Sequence, residues 1–144
     1  MENYDALKLE NQLCFPLYAA SRELIKQYRP SLEALNLTYT QYITMLVLWD
    51  AGKISVKELG RRLYLDSGTL TPVLKSLEAK GLVSRSRSTL DERVLIVDCT
   101  SQGLALRDKA LDVPGQIAGA IRLNKEEAET LYSLLYKLLS PADK

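Results

Sequence analysis

The sequence predicts a mainly α fold carrying one small β-hairpin, an α+β chain of single-domain size at 144 residues and 47% hydrophobic. Three observations lead there. Apolar residues recur at spacings of three and four over most of the chain. Capping residues precede those runs, and Gly or Pro follows them. After Gly81 the period shortens to that of extended backbone over two short runs.

The first helix is expected from about Asp5 to Tyr28, with Leu13, Leu17, Ala20, Leu24 and Tyr28 as its stripe. Pro16 lies inside it; the missing N–H and the ring against the Gln12 carbonyl predict a kink. Arg29-Pro30 marks its end. The second helix starts at Thr38, which with Gln41 fits a capping box, and runs through the apolar stretch Ile43–Trp49 to a stop at Ala51-Gly52. The third starts at a similar pair, Ser55 and Glu58, turns Val56, Leu59 and Leu63 inward, and ends in the tight connection Tyr64-Leu65-Asp66. A fourth helix runs to Lys80 with Leu70, Val73, Leu74 and Leu77 inward and Gly81 as its C′ residue. Its start has three readings. Asp66 caps it with Pro72 well inside, Thr71 caps it with Pro72 at the favoured first position, or Asp66–Thr71 forms a looser first turn.

Leu82–Arg87 and Val94–Thr100 then read as two strands joined by the polar segment Ser88–Arg93. Helix returns after Thr100, with Leu104 and Leu111 on one face; Pro114-Gly115 interrupts it, and Ile117 and Ile121 resume the pattern. Asn124 and Glu127 form another capping arrangement, followed by the stripe Leu131, Leu134, Leu135, Leu138 and Leu139.

Composition narrows the chemistry. With no histidine, Ser-His-Asp and Cys-His nucleophiles and every His-ligated metal site are excluded. Cys14 and Cys99 lie 85 positions apart, so neither a CxxC pair nor a Cys-rich zinc cluster exists. Such sparing use suits a reducing cytosol. Met1–Asp5 is acidic and lacks the basic start of a signal peptide, and the longest apolar stretch, Ile43–Trp49, is far short of the ~20 residues that span a bilayer. The expectation is a cytoplasmic protein with no membrane partner, no metal and no cofactor.

Net charge is only +1, but it is unevenly placed. Lys53–Arg93 carries nine bases and five acids, a local +4, whereas the rest carries ten bases and thirteen acids. A basic middle suits a polyanion surface and equally suits a solvated face.

Helix, short turn, helix and hairpin, with the positive charge gathered there, is the layout of a winged helix-turn-helix. Its second helix would enter the major groove of double-stranded DNA. Counting from the inner face turns Gly68, Pro72, Lys75 and Ala79 outward, with Thr71 and Ser76 beside them. Gly68 permits close backbone approach; Ser67, Thr69 and Thr71 offer hydroxyls to phosphates or base edges; Lys75 offers charge. The hairpin tip would reach the minor groove through Arg93, held by Asp91, while Arg85 and Arg87 share one strand face and could meet phosphates.

Val56–Gly81 followed by Asp91-Glu92-Arg93 resembles the MarR family of bacterial regulators, whose D-x-R wing signature it carries. The usual Leu-Thr ending of that wing is Cys99-Thr100 here. Leu13-Cys14-Phe15-Pro16-Leu17-Tyr18-Ala19-Ala20-Ser21-Arg22 resembles the sensor helix of its organic-hydroperoxide repressors. Leu63–Pro72 resembles their recognition segment. The resemblance implies a homodimer on an inverted-repeat operator. Residues 1–30 would form a sensor and dimerisation helix, 31–100 the winged DNA-binding unit, and 101–144 the C-terminal dimerisation helices. The two apolar stripes fit such a platform, although a monomer could also bury them internally.

A free cysteine is most often a small buried hydrophobe. Cys14, however, has Tyr18 one helical turn on and Pro16 beside it, with Tyr28 and Tyr39 flanking the next turn and helix start. Phenol hydroxyls can hydrogen-bond a thiolate and favour its charged form. The resemblance implies that Cys14 is the peroxide sensor, that Tyr28 and Tyr39 reach it from the partner subunit, and that an organic hydroperoxide oxidises it to release DNA. Residues 101–144 contain no cysteine, and Cys99 shares a strand face with Leu95 and Val97, so it reads as a core residue. The oxidised thiol is therefore expected to form a mixed disulfide with a low-molecular-weight thiol, or to overoxidise. A regulator released by a small aromatic ligand, with Cys14 structural, is the alternative. A thiol peroxidase would need a resolving cysteine in a suitable place, and no enzyme motif is present; a purely structural helical dimer would bind no operator.

Overall fold

The computed structural model describes residues 3–141. Met1 and Glu2 of the acidic N-terminus, and the last three residues of the C-terminal segment, lie outside the described residues.

The expected first helix begins later and ends later than its periodicity indicates. Asp5–Leu7 and Leu9–Asn11 are short 3-10 turns. Asn11 Nδ2 donates to the Asp5 carbonyl at 2.7 Å and Gln12 Nε2 to the Ala6 carbonyl at 2.7 Å, so side-chain amides take acceptors that a helix would have used. Helix α1 is Cys14–Glu33. Pro16 is then its third residue, where no intrahelical N–H partner exists, and the expected kink has no cause. Pro30 lies inside the helix rather than ending it. Beyond it Leu32, Leu35 and Leu37 are buried, and that burial outweighs one lost hydrogen bond. The chain turns at Asn36, φ 56°, a left-handed position that asparagine tolerates.

Helix α2, Tyr39–Ala51, has the complete capping box: Gln41 N–H donates to Thr38 Oγ1 at 3.3 Å and Thr38 N–H to Gln41 Oε1 at 3.1 Å. A three-residue strand, β1 (Lys53–Ser55), follows and precedes helix α3, Val56–Leu63. Ser55 accepts from the Glu58 N–H at 3.1 Å, but the Glu58 carboxylate takes the Arg61 guanidinium instead of returning to Ser55, so only half of the expected box forms. Helix α4 is Ser67–Ala79, and Asp66 Oδ1 caps it by accepting from the Thr69 N–H at 2.7 Å. That decides among the three readings of its start, with Pro72 as the sixth helical residue. Gly81, φ 77°, closes a Schellman turn: Leu82 N–H donates to the Leu77 carbonyl at 3.0 Å and Gly81 N–H to that of Glu78 at 2.9 Å.

Strands β2 (Val83–Arg87) and β3 (Leu95–Cys99) form the expected antiparallel hairpin, from Val83 opposite Cys99 to Arg87 opposite Leu95. β1 pairs with the other edge of β3, Ile54 opposite Val97, giving the order β1-β3-β2. Helix α5, Ser101–Ala110, is capped by Thr100. Pro114 is the second residue of α6, Val113–Ala118, so it helps to start a helix and the break falls at Leu111-Asp112. Helix α7, Lys125–Leu139, carries the full Asn124–Glu127 capping box.

Met45, Leu48, Leu59, Leu70, Leu74, Leu77 and Val97 are essentially inaccessible, each contributing about 1.5–3 kcal/mol of burial. They tie α2, α3, α4 and the sheet into one body. The leucine stripe of α7 is different: Leu131, Leu134, Leu138 and Leu139 are exposed, as are Leu13 and Leu17 of the α1 region. With Ile117 and Ile121 these stripes border an apolar cleft of about 830 Å³. Such an open apolar face on one protomer has the character of an interface.

Candidate functional site

Helix α4 is set by its inner leucines, and the outer face follows from them. Ser67, Gly68, Thr69, Pro72, Lys75 and Ala79 are exposed, with Thr71 and Ser76 half-buried at the margin, as the sequence indicates. Thr71 Oγ1 donates to the Ser67 carbonyl at 2.7 Å, which turns its remaining lone pairs outward. Tyr64, φ 57°, makes the sharp bend between α3 and α4, and its ring is exposed. The α4 carboxyl end is held by side-chain bonds to Gln41 that no local pattern marks. Gln41 Nε2 donates to Ser76 Oγ at 2.8 Å, and Lys80 Nζ donates to Gln41 Oε1 at 2.8 Å.

In the hairpin the three arginines have separate fates. Arg93 is 90% exposed at the tip, and Asp91 grips it: Arg93 Nε donates to Asp91 Oδ1 at 3.1 Å, Nη2 to Oδ2 at 3.2 Å, and the backbone N–H to Oδ1 at 3.0 Å. The Arg93 hydrogen bonds hold the Asp91 carboxyl below the usual carboxylate range, so the pair stays charged at neutral pH. It is lost only as pH falls through that lowered value. Arg87 is exposed on β2. Arg85 departs from the expectation of a free phosphate contact. Its side chain is only 20% exposed, its Nη2 donates to Glu78 Oε1 at 3.0 Å, and its backbone N–H donates to Glu78 Oε2 at 3.2 Å. Glu78 thus braces the hairpin against α4 and occupies an outward N–H of the edge strand. Nothing local in the sequence signals that pair, seven residues apart across the Gly81 turn.

Cys14 opens α1 and is exposed. The structure brings Tyr28 and Tyr39 together, ring centroids 4.9 Å apart, with Tyr42 as a third member 5.8 Å from Tyr28. Burial pushes all three phenols up, so they remain neutral O–H donors at neutral pH. Within one chain the cluster does not meet the thiol, because Tyr28 is about 21 Å from Cys14 along the same helix, at ~1.5 Å per residue. Tyr18 is exposed and its hydroxyl accepts from Arg22 Nη1 at 3.1 Å rather than facing Cys14. Cys99 packs against the core; burial, then the neighbouring Asp98, pushes its thiol up and away from reactivity. Among the described residues no cluster suited to a metal occurs, and no helix is long and apolar enough to cross a membrane.

A helix-turn-helix with an attached wing, bracketed by helices that expose apolar stripes, defines the class: a winged-helix DNA-binding protein. The comparisons agree. Residues 26–109 match the family model described as transcriptional regulator SarA/Rot. The chain is 52% identical over 140 residues to the organic hydroperoxide resistance transcriptional regulator of Bacillus subtilis strain 168, covering 96% of this chain and 95% of that one. It is 39% identical to the HTH-type transcriptional regulator SarZ of Staphylococcus aureus strain USA300, covering 92% and 89%. Among solved structures, reduced AbfR bound to DNA, a protein of Staphylococcus epidermidis, superposes with a TM-score of 0.76 at 34% identity, covering 94% of each chain. Overoxidised AbfR bound to DNA gives 0.77 at 33%, covering 96% and 97%. The chain belongs to the MarR/SarA type of winged-helix transcriptional regulators.

Proposed function

We propose that this regulator is a dimeric repressor that senses organic hydroperoxides through Cys14 and then releases an inverted-repeat operator. The observation that carries the reading is the placement of an exposed thiol at one end of α1 and a phenol cluster at the other. A two-fold axis that runs α1 antiparallel to its copy sets Cys14 of each subunit beside Tyr28 and Tyr39 of the other. Residues 1–30 and 101–144 then form the dimerisation platform, and residues 31–100 the DNA-binding unit. The likeness to the Bacillus subtilis regulator supports the effector class.

The chemistry needs only the thiol and the oxidant. The Cys14 thiolate sulfur attacks the terminal oxygen of the hydroperoxide and the O–O bond breaks. The alkoxide leaves and takes a proton, so sulfur is oxidised to a sulfenic acid and the peroxide is reduced to an alcohol. A low-molecular-weight thiol then displaces water and leaves a mixed disulfide. That product inserts a whole side group into the α1 interface, whereas a sulfenic acid adds one oxygen atom. AbfR has been solved on DNA in an overoxidised state, which favours the mixed disulfide as the releasing species here. The site of action is the cytoplasm, whose reducing poise keeps Cys14 a thiol before challenge. The protein turns over no substrate.

On DNA, Ser67, Gly68, Thr69, Thr71, Pro72 and Lys75 face the major groove, Arg87 the backbone, and Arg93, oriented by Asp91, the minor groove. Arg85 acts through Glu78, not through phosphate. Arg93→Gln is accordingly expected to weaken binding and to flatten the dependence of log affinity on log salt by about 1 per protomer. Arg85→Gln should weaken binding while leaving that slope unchanged. A flattened slope in Arg85→Gln would show that Arg85 does reach phosphate.

The sensing reading is tested by mobility shift on DNA upstream of the protein's own gene, with cumene hydroperoxide and free cysteine. Wild type is expected to release and Cys14→Ser to bind equally well without responding. A Cys14→Ser protein that still releases rejects it. The apolar cleft of about 830 Å³ favours one other reading, release by a small aromatic ligand. Release of Cys14→Ser by an aromatic acid would support that one.

A further inference from the structure

Gln41 is buried yet polar, and its amide is almost fully engaged. Its Nε2 donates to Ser76 Oγ at 2.8 Å; its Oε1 accepts from Lys80 Nζ at 2.8 Å and from the Thr38 N–H at 3.1 Å. Lys80 Nζ also donates to the Asn36 carbonyl at 2.6 Å. A single side chain therefore stitches the first turn of α2, the α1–α2 connection and the end of α4 into one polar knot.

The same first turn of α2 carries Tyr39 and Tyr42, whose rings both pack tilted against Tyr28. The phenol cluster and the amide share a rigid, doubly capped helix start, so neither moves without the other. The core that α2 and α4 share is otherwise apolar, Met45 and Leu48 with Leu70, Leu74 and Leu77 among its members, and apolar contact is non-directional. A buried amide with three partners does not permit sliding without leaving polar groups unpaired.

We propose that Gln41 is the positioning residue that carries a displacement of the tyrosine cluster to α4, and so couples the state of Cys14 to the DNA-reading face. This rests on the sensing reading above. Removing the amide leaves α2 free to move while α4 stays where the core holds it.

The test compares wild type, Gln41→Met and Gln41→Glu on a duplex selected from random sequence by the reduced wild-type protein. Each is treated with cumene hydroperoxide and free cysteine, and intact mass confirms the mixed disulfide on Cys14. Wild type is expected to lose affinity about tenfold or more on modification, within the usual range of coupling between sites. Gln41→Met should be modified as fully yet change affinity by less than about twofold. Gln41→Glu, whose carboxylate accepts from Thr38, Ser76 and Lys80, should behave as wild type. A modified Gln41→Met that releases DNA as wild type does overturns the inference, and so does a folded Gln41→Glu that fails to respond. Wild type holding its DNA when modified overturns the sensing reading itself, and the inference with it. Should Gln41→Met fail to fold or to bind DNA, Ser76→Ala combined with Lys80→Met, which removes both links from Gln41 to the α4 end, is read by the same criteria.

Discussion

Leu134→Glu combined with Leu138→Glu is expected to give a monomer that has lost about 10²- to 10⁴-fold in operator affinity. The two leucines are 53% and 66% exposed in the isolated protomer, yet they lie on one stripe with Leu131 at helical spacing. Their surroundings across the cleft are equally apolar: Leu13, Leu17, Leu24 and Ile121. Two carboxylates carried into such an interface are desolvated, and Lys137, the one cation among the lining residues, cannot compensate both, which favours dissociation. The effect on DNA follows from geometry. In a dimer the second half-site binds from an effective concentration in the millimolar range, whereas a monomer must bind each half-site anew. The winged unit itself, whose core of Leu59, Leu70, Leu74 and Leu77 is remote from α7, should stay folded. Light scattering and a mobility shift check both parts. A double variant that stays dimeric, or a monomer of undiminished affinity, contradicts the platform.

The largest expected loss of stability is at Gly103→Ala. A Cβ there would overlap the Leu82 carbonyl oxygen and lie 2.8 Å from Cys99 Sγ. Neither side can yield. The Leu82 carbonyl is fixed by the Thr100 N–H at 3.1 Å, and the Gly103 carbonyl is fixed by Trp49 Nε1 at 2.8 Å, which anchors α5 to α2. Relief would break one of those bonds or move α5 off the sheet. The expected cost is about 3 kcal/mol or more, a fall in melting temperature of roughly 10 °C at fixed protein concentration. A melting temperature within a few degrees of wild type would contradict the tight seating of α5 on Leu82 and Cys99.

What could be read from the sequence was what is decided locally. The boxes at Thr38 and Asn124 and the cap at Thr100 depend on residues three apart, and all three form. The outward face of α4 follows from its inner leucines alone. Ser55 shows the limit of the same rule: Arg61 is as near to Glu58 as the cap is, and it wins the carboxylate. Pro30 does not end its helix because buried leucines follow it, and the effect of Pro16 depends on where the helix starts. That point was set by the Asn11 and Gln12 amides, which no periodicity reveals. β1 and the Glu78–Arg85 brace are made by partners distant in sequence or separated by a turn, so no local pattern marks them. The fold of the winged unit was therefore legible. The division of labour among Arg85, Arg87 and Arg93 was not. The proposed sensing site divides in the same way. The tyrosine cluster forms inside one chain, but its meeting with Cys14 needs a second chain.

The most direct measurement follows DNA release and Cys14 chemistry in one sample. Anisotropy of a labelled operator duplex is recorded while cumene hydroperoxide is added in substoichiometric steps with free cysteine present, and intact mass is read at each step. Release should track the fraction of chains carrying the Cys14 mixed disulfide. Release from chains whose Cys14 is unmodified, or full retention by chains that are all modified, would contradict the proposed mechanism.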